Sequence, residues 1–150
     1  MVFASPSRAA LSHGPERYED LLDHAEEVVV AIIDGQDKTA PASTAFTWIR
    51  AQVVKNLYGQ ISDREEIIYP QPKSLGSDLG VGDVRILFLV RAKPYYRPDH
   101  KWSLLSLPLH QTRFNIASSE VRGLDLLALR EFLHGMDKSG AHPDQVDYSN

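Results

Sequence analysis

Residues 84–91 read VRILFLVR, the best strand pattern in the chain. In an extended conformation successive side chains point to opposite faces, so one face carries Val84, Ile86, Phe88 and Val90 and the other carries Leu87 and Leu89. Arg85 and Arg91 are expected at the rims of the strand. A strand that is apolar on both faces at its middle is predicted to be central in its sheet and covered on both sides.

The sequence that follows predicts an antiparallel partner for this strand. Pro94 and Pro98 break the chain and predict a turn. Residues 102–109 then return as a strand whose buried face holds alternate leucines. Because Pro108 lacks a backbone N–H, we expect a bulge or a sheet edge at that position.

Two shorter strands complete the predicted sheet. Residues 67–69 are followed by Pro70 and Pro72, which places this strand at an edge, since proline cannot donate to a ladder. Residues 113–117 predict a further strand, with its phenylalanine and isoleucine facing inward.

Apolar residues spaced three and four positions apart predict three helices. They are predicted from 15 to 33, from a cap at 43 or 44 to a stop at Gly59, and from a cap at 118 or 119 to Gly135. One alternative stays open for the first helix. Its end, residues 28–33 (VVVAII), is mostly β-branched, so the last turns could instead be extended.

The order of helix, helix, strands and helix predicts an α+β fold rather than an alternating βαβ fold. We expect a mainly antiparallel sheet of three to five strands, covered by two N-terminal helices and one C-terminal helix. The domain itself is predicted over residues 15–136. Residues 1–14 are expected to be an N-terminal arm, and residues 137–150 are expected to be a polar C-terminal tail.

The composition bounds the function. The chain has 150 residues, of which 43% are hydrophobic and 24% charged, as is typical of one globular domain. It has no cysteine, which excludes disulfides and cysteine nucleophiles and favours a reducing compartment such as the cytoplasm. A net charge of −4 gives the whole chain no electrostatic attraction to nucleic acid or anionic membranes. Residues 1–15 lack the apolar core of a secretory signal and are interpreted as a flexible arm rather than a transit peptide.

Three patterns that could carry chemistry are weak. Asp20, Asp23, His24 and Glu27 could lie on one helix face, but the paired Glu-x-x-His motif of a bundle metal site is missing, so a solvated acidic face is favoured. The glycine-rich residues 76–82 precede a strand, whereas phosphate loops open a helix. His100 and His110 could act as general bases, but no nucleophile motif accompanies them. No cofactor or metal motif is recognised, and an enzyme with a pocket between sheet and helices remains an alternative.

The turn between the two long strands is the most distinctive stretch. Aromatic and basic side chains alternate there at Arg91, Lys93, Tyr95, Tyr96, Arg97, His100, Lys101 and Trp102. Tyr, Trp and Arg are enriched at protein–protein hot spots. Stacking aromatics with cationic groups also bind single-stranded nucleic acid, and an ordinary exposed turn would have the same composition.

The function expected from the sequence is a non-catalytic interaction or assembly subunit. It would contact other protein subunits, in a homo- or hetero-oligomer of cellular or viral origin, through the 91–102 hairpin and the terminal arms. Binding of single-stranded nucleic acid is the alternative, and no membrane partner is expected. The expected location is the cytoplasm or a particle assembled there.

Overall fold

The chain folds mainly into β-strands. The computed structural model describes residues 16–39, 45–73, 79–92, 101–105, 113–140 and 145–148. Its strands are β1 (Glu27–Gln36), β2 (Phe46–Tyr58), β3 (Glu66–Pro72), β4 (Val84–Arg91), β5 (Trp102–Leu104), β6 (Arg113–Ile116) and β7 (Gln145–Tyr148). Its helices are α1 (Asp20–His24) and α2 (Leu126–Ser139), with a 3₁₀ turn at Ser118–Glu120.

The described strands form one sheet with the order β3-β2-β1-β4-β6-β7, and β5 also pairs with β4. All pairs are antiparallel except β6 and β7, which are parallel. Both β5 and β6 lie along the edge of β4 that β1 does not occupy. β5 pairs with residues 89–91, whereas β6 pairs at Arg85. The prediction that β4 is central is therefore confirmed.

The first five strands curl until β3 lies against β5. The pairings make these two strands run in the same direction, but no ladder joins them among the described residues. Lys73 N donates to Ala45 O on the β2 side, and the N–H groups of a strand alternate between its edges. Pro70 and Pro72 therefore face the β5 side, where neither can donate. The result is similar to the OB-fold, a five-stranded barrel that stays partly open.

Two apolar cores lie on the two faces of this curled sheet. The inner core fills the barrel with residues from β1 to β5 and the β2–β3 loop: Val29, Ala31, Ile33, Ile49, Ala51, Val53, Ile61, Ile67, Tyr69, Leu87, Leu89 and Trp102. The outer core lies between the sheet and the helices: Tyr18, Leu21, Ala25, Val28, Val30, Ile86, Phe88, Phe114, Ile116, Leu124, Leu129, Leu133, Val146 and Tyr148. The prediction that β4 is covered on both sides is confirmed, and so is the inward direction of both apolar residues of β6.

The two predicted N-terminal helices are wrong. α1 has only five residues, and residues 27–36 and 46–58 are strands. The part of the sheet that the structure describes accordingly has seven strands rather than three to five. The β-branched run 28–33 loses side-chain freedom in a helix but packs well in a pleated sheet, and it is buried on both faces except at Ile32. The extended conformation that the sequence left open for residues 28–33 is therefore the one the structure has.

The C-terminal helix lies later than predicted. It begins at Leu126, because the Asp125 side chain accepts a hydrogen bond from Ala128 N at 2.8 Å. It continues past Gly135 to Ser139 and ends at Gly140, which has the left-handed φ of 70° that favours glycine. The segment expected to be a polar tail thus supplies the last turn of α2 and the strand β7, whose valine and tyrosine are buried in the outer core.

Candidate protein-interaction site

The base of the predicted hairpin is an antiparallel ladder between β4 and β5. Arg91 pairs with Trp102, and Ala92 N donates to Lys101 O at 2.8 Å. The structure therefore brings together three of the predicted site residues, Arg91, Lys101 and Trp102. The other five lie outside the described residues: Lys93, Tyr95, Tyr96, Arg97 and His100.

Trp102 anchors the hairpin to the barrel. Its side chain is 7% exposed and belongs to the inner core, while the Arg91 guanidinium lies 5.1 Å from the ring centroid. A cation over an indole face is an attractive arrangement. The backbone N–H of Arg91 also donates to the carboxylate of Glu26. Of the described hairpin residues, Trp102 is therefore a core side chain, whereas Arg91 and Lys101 remain exposed.

A cleft of about 160 Å³ opens beside this base, at the seam where β3 meets β5 without a ladder. It is lined by Glu65, Glu66, Ile67, Ile68, Lys101 and Trp102. We call this feature the seam cleft. Ile67 points into the barrel and is 3% exposed, whereas Ile68 is half-buried on the outer face. The floor of the seam cleft is therefore apolar and its walls are charged.

The charges of the seam cleft are unequal. Two carboxylates, of Glu65 and Glu66, face one ammonium group, of Lys101. Glu65 accepts a hydrogen bond from Ser62 N at 3.1 Å, and Glu66 lies 3.7 Å from Arg50 Nε in an exposed ion pair. An exposed pair at this distance contributes little. The described part of the seam cleft suits an apolar group with a positive neighbour better than a polyanion.

The acidic residues near the N-terminus do not converge on a metal site. Asp20 forms an ion pair with Arg17 at 3.1 Å, and the ring nitrogen Nδ1 of His24 lies 2.9 Å from the Asp20 carbonyl. Glu27 is buried on β1 and accepts hydrogen bonds from the β2–β3 loop. Among the residues that the structure describes, no group of three or more His, Asp or Glu could hold a metal ion.

The two other sequence patterns fall partly outside the described residues. Residues 76–78, His100 and His110 are among those outside. Gly80 and Gly82 belong to the turn that leads into β4, with positive φ angles of 66° and 88°. Residues 79–83 thus form the turn that enters β4.

Sequence reasoning missed the acidic and apolar wall that β3 gives to the seam cleft. The sequence predicted only part of the position of this wall, because Pro70 and Pro72 indicated a sheet edge without indicating which strand lies opposite.

Within the described ranges, no helix is long and apolar enough to cross a membrane. No protein-family model matches the chain, and no curated protein is significantly similar to it.

Proposed function

We propose that this protein is a non-catalytic binding module that holds an extended segment of a partner protein in the seam cleft, beside the 91–102 hairpin. The observation that carries the proposal is the incomplete closure of the barrel. β3 and β5 lie side by side and in the same direction, yet no ladder joins them among the described residues. Extended peptides bind at open edges of sheets, and side-chain pockets give the specificity. Because β3 and β5 already contact each other, the segment would lie over the seam rather than between the two strands.

The lining of the seam cleft sets the chemistry of the bound segment. Ile67, Ile68 and the edge of Trp102 offer an apolar contact for one anchoring side chain. Glu65 and Glu66 favour a lysine or arginine next to that anchor. We therefore expect the partner segment to have an apolar residue flanked by a basic one. Such a segment would belong to another subunit of the same or a different protein.

The experiment is selection from a random peptide library displayed on phage, with the full-length chain as target. Enriched peptides are expected to share an apolar residue with a neighbouring lysine or arginine. Ile68→Ala removes part of the apolar floor and should weaken binding of the selected peptide about tenfold. Leu127→Ala is the matched control, because Leu127 is an exposed leucine on α2 that is 67% exposed and far in sequence from the cleft. No enriched motif, or equal losses in both variants, would contradict the proposal.

The location and the arms form part of the same proposal. A cysteine-free chain suits a reducing compartment, so we place the protein in the cytoplasm or in a particle assembled there. We expect the full chain to elute as an oligomer or complex and deletion of residues 1–14 to weaken that assembly without unfolding the domain. Deletion of 137–150 is unsuitable as a second test, because it removes β7 and the last turn of α2. A monomer unaffected by the first deletion would contradict the role of the arm.

Binding of single-stranded nucleic acid is a second candidate, favoured by the likeness of β1–β5 to the OB-fold. The loops between strands 1 and 2 and between strands 4 and 5 are the binding loops of that fold, and the second of these loops is the 91–102 hairpin. Architecture alone does not assign function. The test is fluorescence anisotropy of a labelled oligothymidine at increasing salt. The candidate requires binding that falls with salt and is lost in Arg97→Ala and Tyr96→Ala, whereas absent or salt-insensitive binding would exclude it.

A further inference from the structure

The inside of the barrel contains a positive charge that is only partly neutralised. Arg85 is 2% exposed, and its Nη1 donates to Gln71 Oε1 at 3.0 Å. Its Nη2 donates to Leu79 O at 3.3 Å and to Asp83 Oδ2 at 3.4 Å. Asp83 is 48% exposed and supplies the one salt bridge found for Arg85 within the described ranges. Buried cations in proteins are normally paired with a buried anion, and here much of the pairing carboxylate is in water.

Two hydrogen-bond donors beside this charge have no partner among the described residues. They are Nε of Arg85 and the hydroxyl of Tyr69, whose side chain is fully buried. Burial raises the pKa of Tyr69 to about 12, although the nearby Arg85 charge opposes the rise. The hydroxyl is therefore a protonated donor at neutral pH. Neither this hydroxyl nor Nε of Arg85 has a hydrogen-bond partner among the described residues.

A third buried polar atom without a partner lies on the same face of the sheet. Asn115 pairs with Arg85 across β4 and β6, so both side chains lie on the inner face of the sheet. Its buried Oδ1 has no partner within the described part of the chain. Amide oxygen and nitrogen positions are interchangeable by a 180° rotation. A rotated Asn115 would thus turn its amide N–H groups toward the space in which Oδ1 now lies.

A cavity of about 20 Å³ lies at this cluster. It is lined by Tyr69, Gln71 and Arg85, by Arg113 of β6, and by apolar residues of β4, β6 and the segment 104–105. This volume is enough for one occupant about the size of a water molecule. We propose that the cavity binds a single halide-sized monovalent anion, with chloride as the natural ligand, through Nε of Arg85 and the hydroxyl of Tyr69. A water molecule could accept both hydrogen bonds, but only an anion adds negative charge beside a buried guanidinium whose described carboxylate partner, Asp83, is 48% exposed. Larger polyatomic anions do not fit the volume.

Chloride that binds only the folded state must raise the stability of the chain. At a concentration about tenfold above the dissociation constant, binding multiplies the folding equilibrium constant about elevenfold. For a chain of this size that is a rise of about 3–6 °C in Tm. The measurement is thermal unfolding of the full chain in sodium chloride, bromide and gluconate at equal ionic strength. We expect chloride and bromide to raise Tm relative to gluconate.

Tyr69→Phe tests the site without removing the buried charge. It deletes one donor to the anion and is expected to reduce the halide-dependent rise in Tm by at least half. Tyr58→Phe is the matched control, because Tyr58 is 50% exposed on β2 and its loss should leave the halide response unchanged. Arg85→Met should abolish the response where it folds.

A crystal soaked in bromide gives a readout that does not depend on any variant folding. The proposal expects an anomalous-scattering peak within hydrogen-bond distance of Arg85 Nε and the Tyr69 hydroxyl. An ordered water without anomalous signal at that position would overturn it. Equal Tm values in chloride and gluconate would overturn it as well, and so would a halide response in Tyr69→Phe as large as in the unaltered chain.

Discussion

Glu27 holds the β2–β3 loop against the sheet, and its removal is a sharp test of how the barrel is closed at that end. The side chain is 3% exposed on β1. Its carboxylate accepts hydrogen bonds at 2.8 Å from the backbone N–H groups of Gln60 and Ile61. Gly59 passes so close that an added Cβ would lie 2.3 Å from the carboxylate. The loop and the carboxylate therefore fit each other only with glycine at position 59.

The expected magnitude follows from these contacts. A hydrogen bond to a charged group contributes about 1.5–3 kcal/mol, and an unsatisfied buried donor costs about 1–3 kcal/mol. In Glu27→Ala the donor of Ile61 stays buried, whereas Gln60 is exposed and can turn to water. We therefore expect a loss of about 2–4 kcal/mol in the free energy of unfolding. Glu66→Ala is the control, because that carboxylate is exposed and should contribute less than about 1 kcal/mol.

A double-mutant cycle with Gly59 gives the sharper result. Gly59 has a φ of 109°, so Gly59→Ala combines backbone strain with a clash against the carboxylate of Glu27. Gly140→Ala is the control for backbone strain without a clash, because Gly140 has a φ of 70° and nothing lies within 4 Å of the added Cβ. In the Glu27→Ala background the clash disappears, so Gly59→Ala should cost at least about 1 kcal/mol less there. Urea unfolding measures all four corners, and strictly additive losses would refute this account of the loop.

Two further perturbations test the contacts that hold the helices. The ammonium of Lys55 donates to the carbonyls of residues 121, 122 and 124 at 3.1, 3.0 and 2.6 Å. Lys55→Met should therefore cost about 1.5–3 kcal/mol and speed amide exchange around residues 118–124, whereas unchanged exchange would speak against the contact. A hydrogen bond from His134 and the nearby Arg130 lower the pKa of Glu19 from its ordinary 4.5. A lowered folded-state pKa gives stability that is present above the ordinary value and is lost as pH falls through the folded one. The Tm difference between the unaltered chain and His134→Gln should accordingly shrink below pH 4.5, and a constant difference would contradict the pairing.

The bounds of β4 were predicted correctly because the apolar run of residues 86–90 is short, lies between Arg85 and Arg91 and follows a glycine-rich loop. Such a length and such flanking residues favour a strand over a helix. Residues 28–33 satisfy helical spacing as well as strand spacing, since an unbroken apolar run fits both periods. In β2 buried and exposed side chains alternate over residues 49–54. Trp48 and Val54 are nevertheless apolar on the opposite face, so the apolar positions of residues 46–58 also fit helical spacing. Only pairing with β1 and β3 decides between the two structures, and sequence spacing does not contain that information.

Arg85 shows the same limit for a single residue. Its position at the start of an apolar strand predicts a rim, where an arginine keeps its charge in water. The structure buries it, because the turn at residues 79–83 and Gln71 of β3 close over it. Gln71 lies fourteen positions away and Asn115 lies thirty, so no local pattern connects the cluster. The seam cleft is likewise invisible in the sequence, since it joins residues 65–68 with 101 and 102.

Charge reversal in the seam cleft tests whether this cleft binds the partner segment. Glu65→Lys with Glu66→Lys changes the sign of the two carboxylates that select a basic partner segment, and both side chains are exposed, so the fold should persist. Peptide selection repeated on this variant should yield apolar residues flanked by aspartate or glutamate, and the original basic peptides should bind at least about tenfold more weakly. Glu131→Lys, an exposed reversal on α2, should select the same peptides as the unaltered chain. If the double variant still selects basic peptides, the seam cleft is not the binding site.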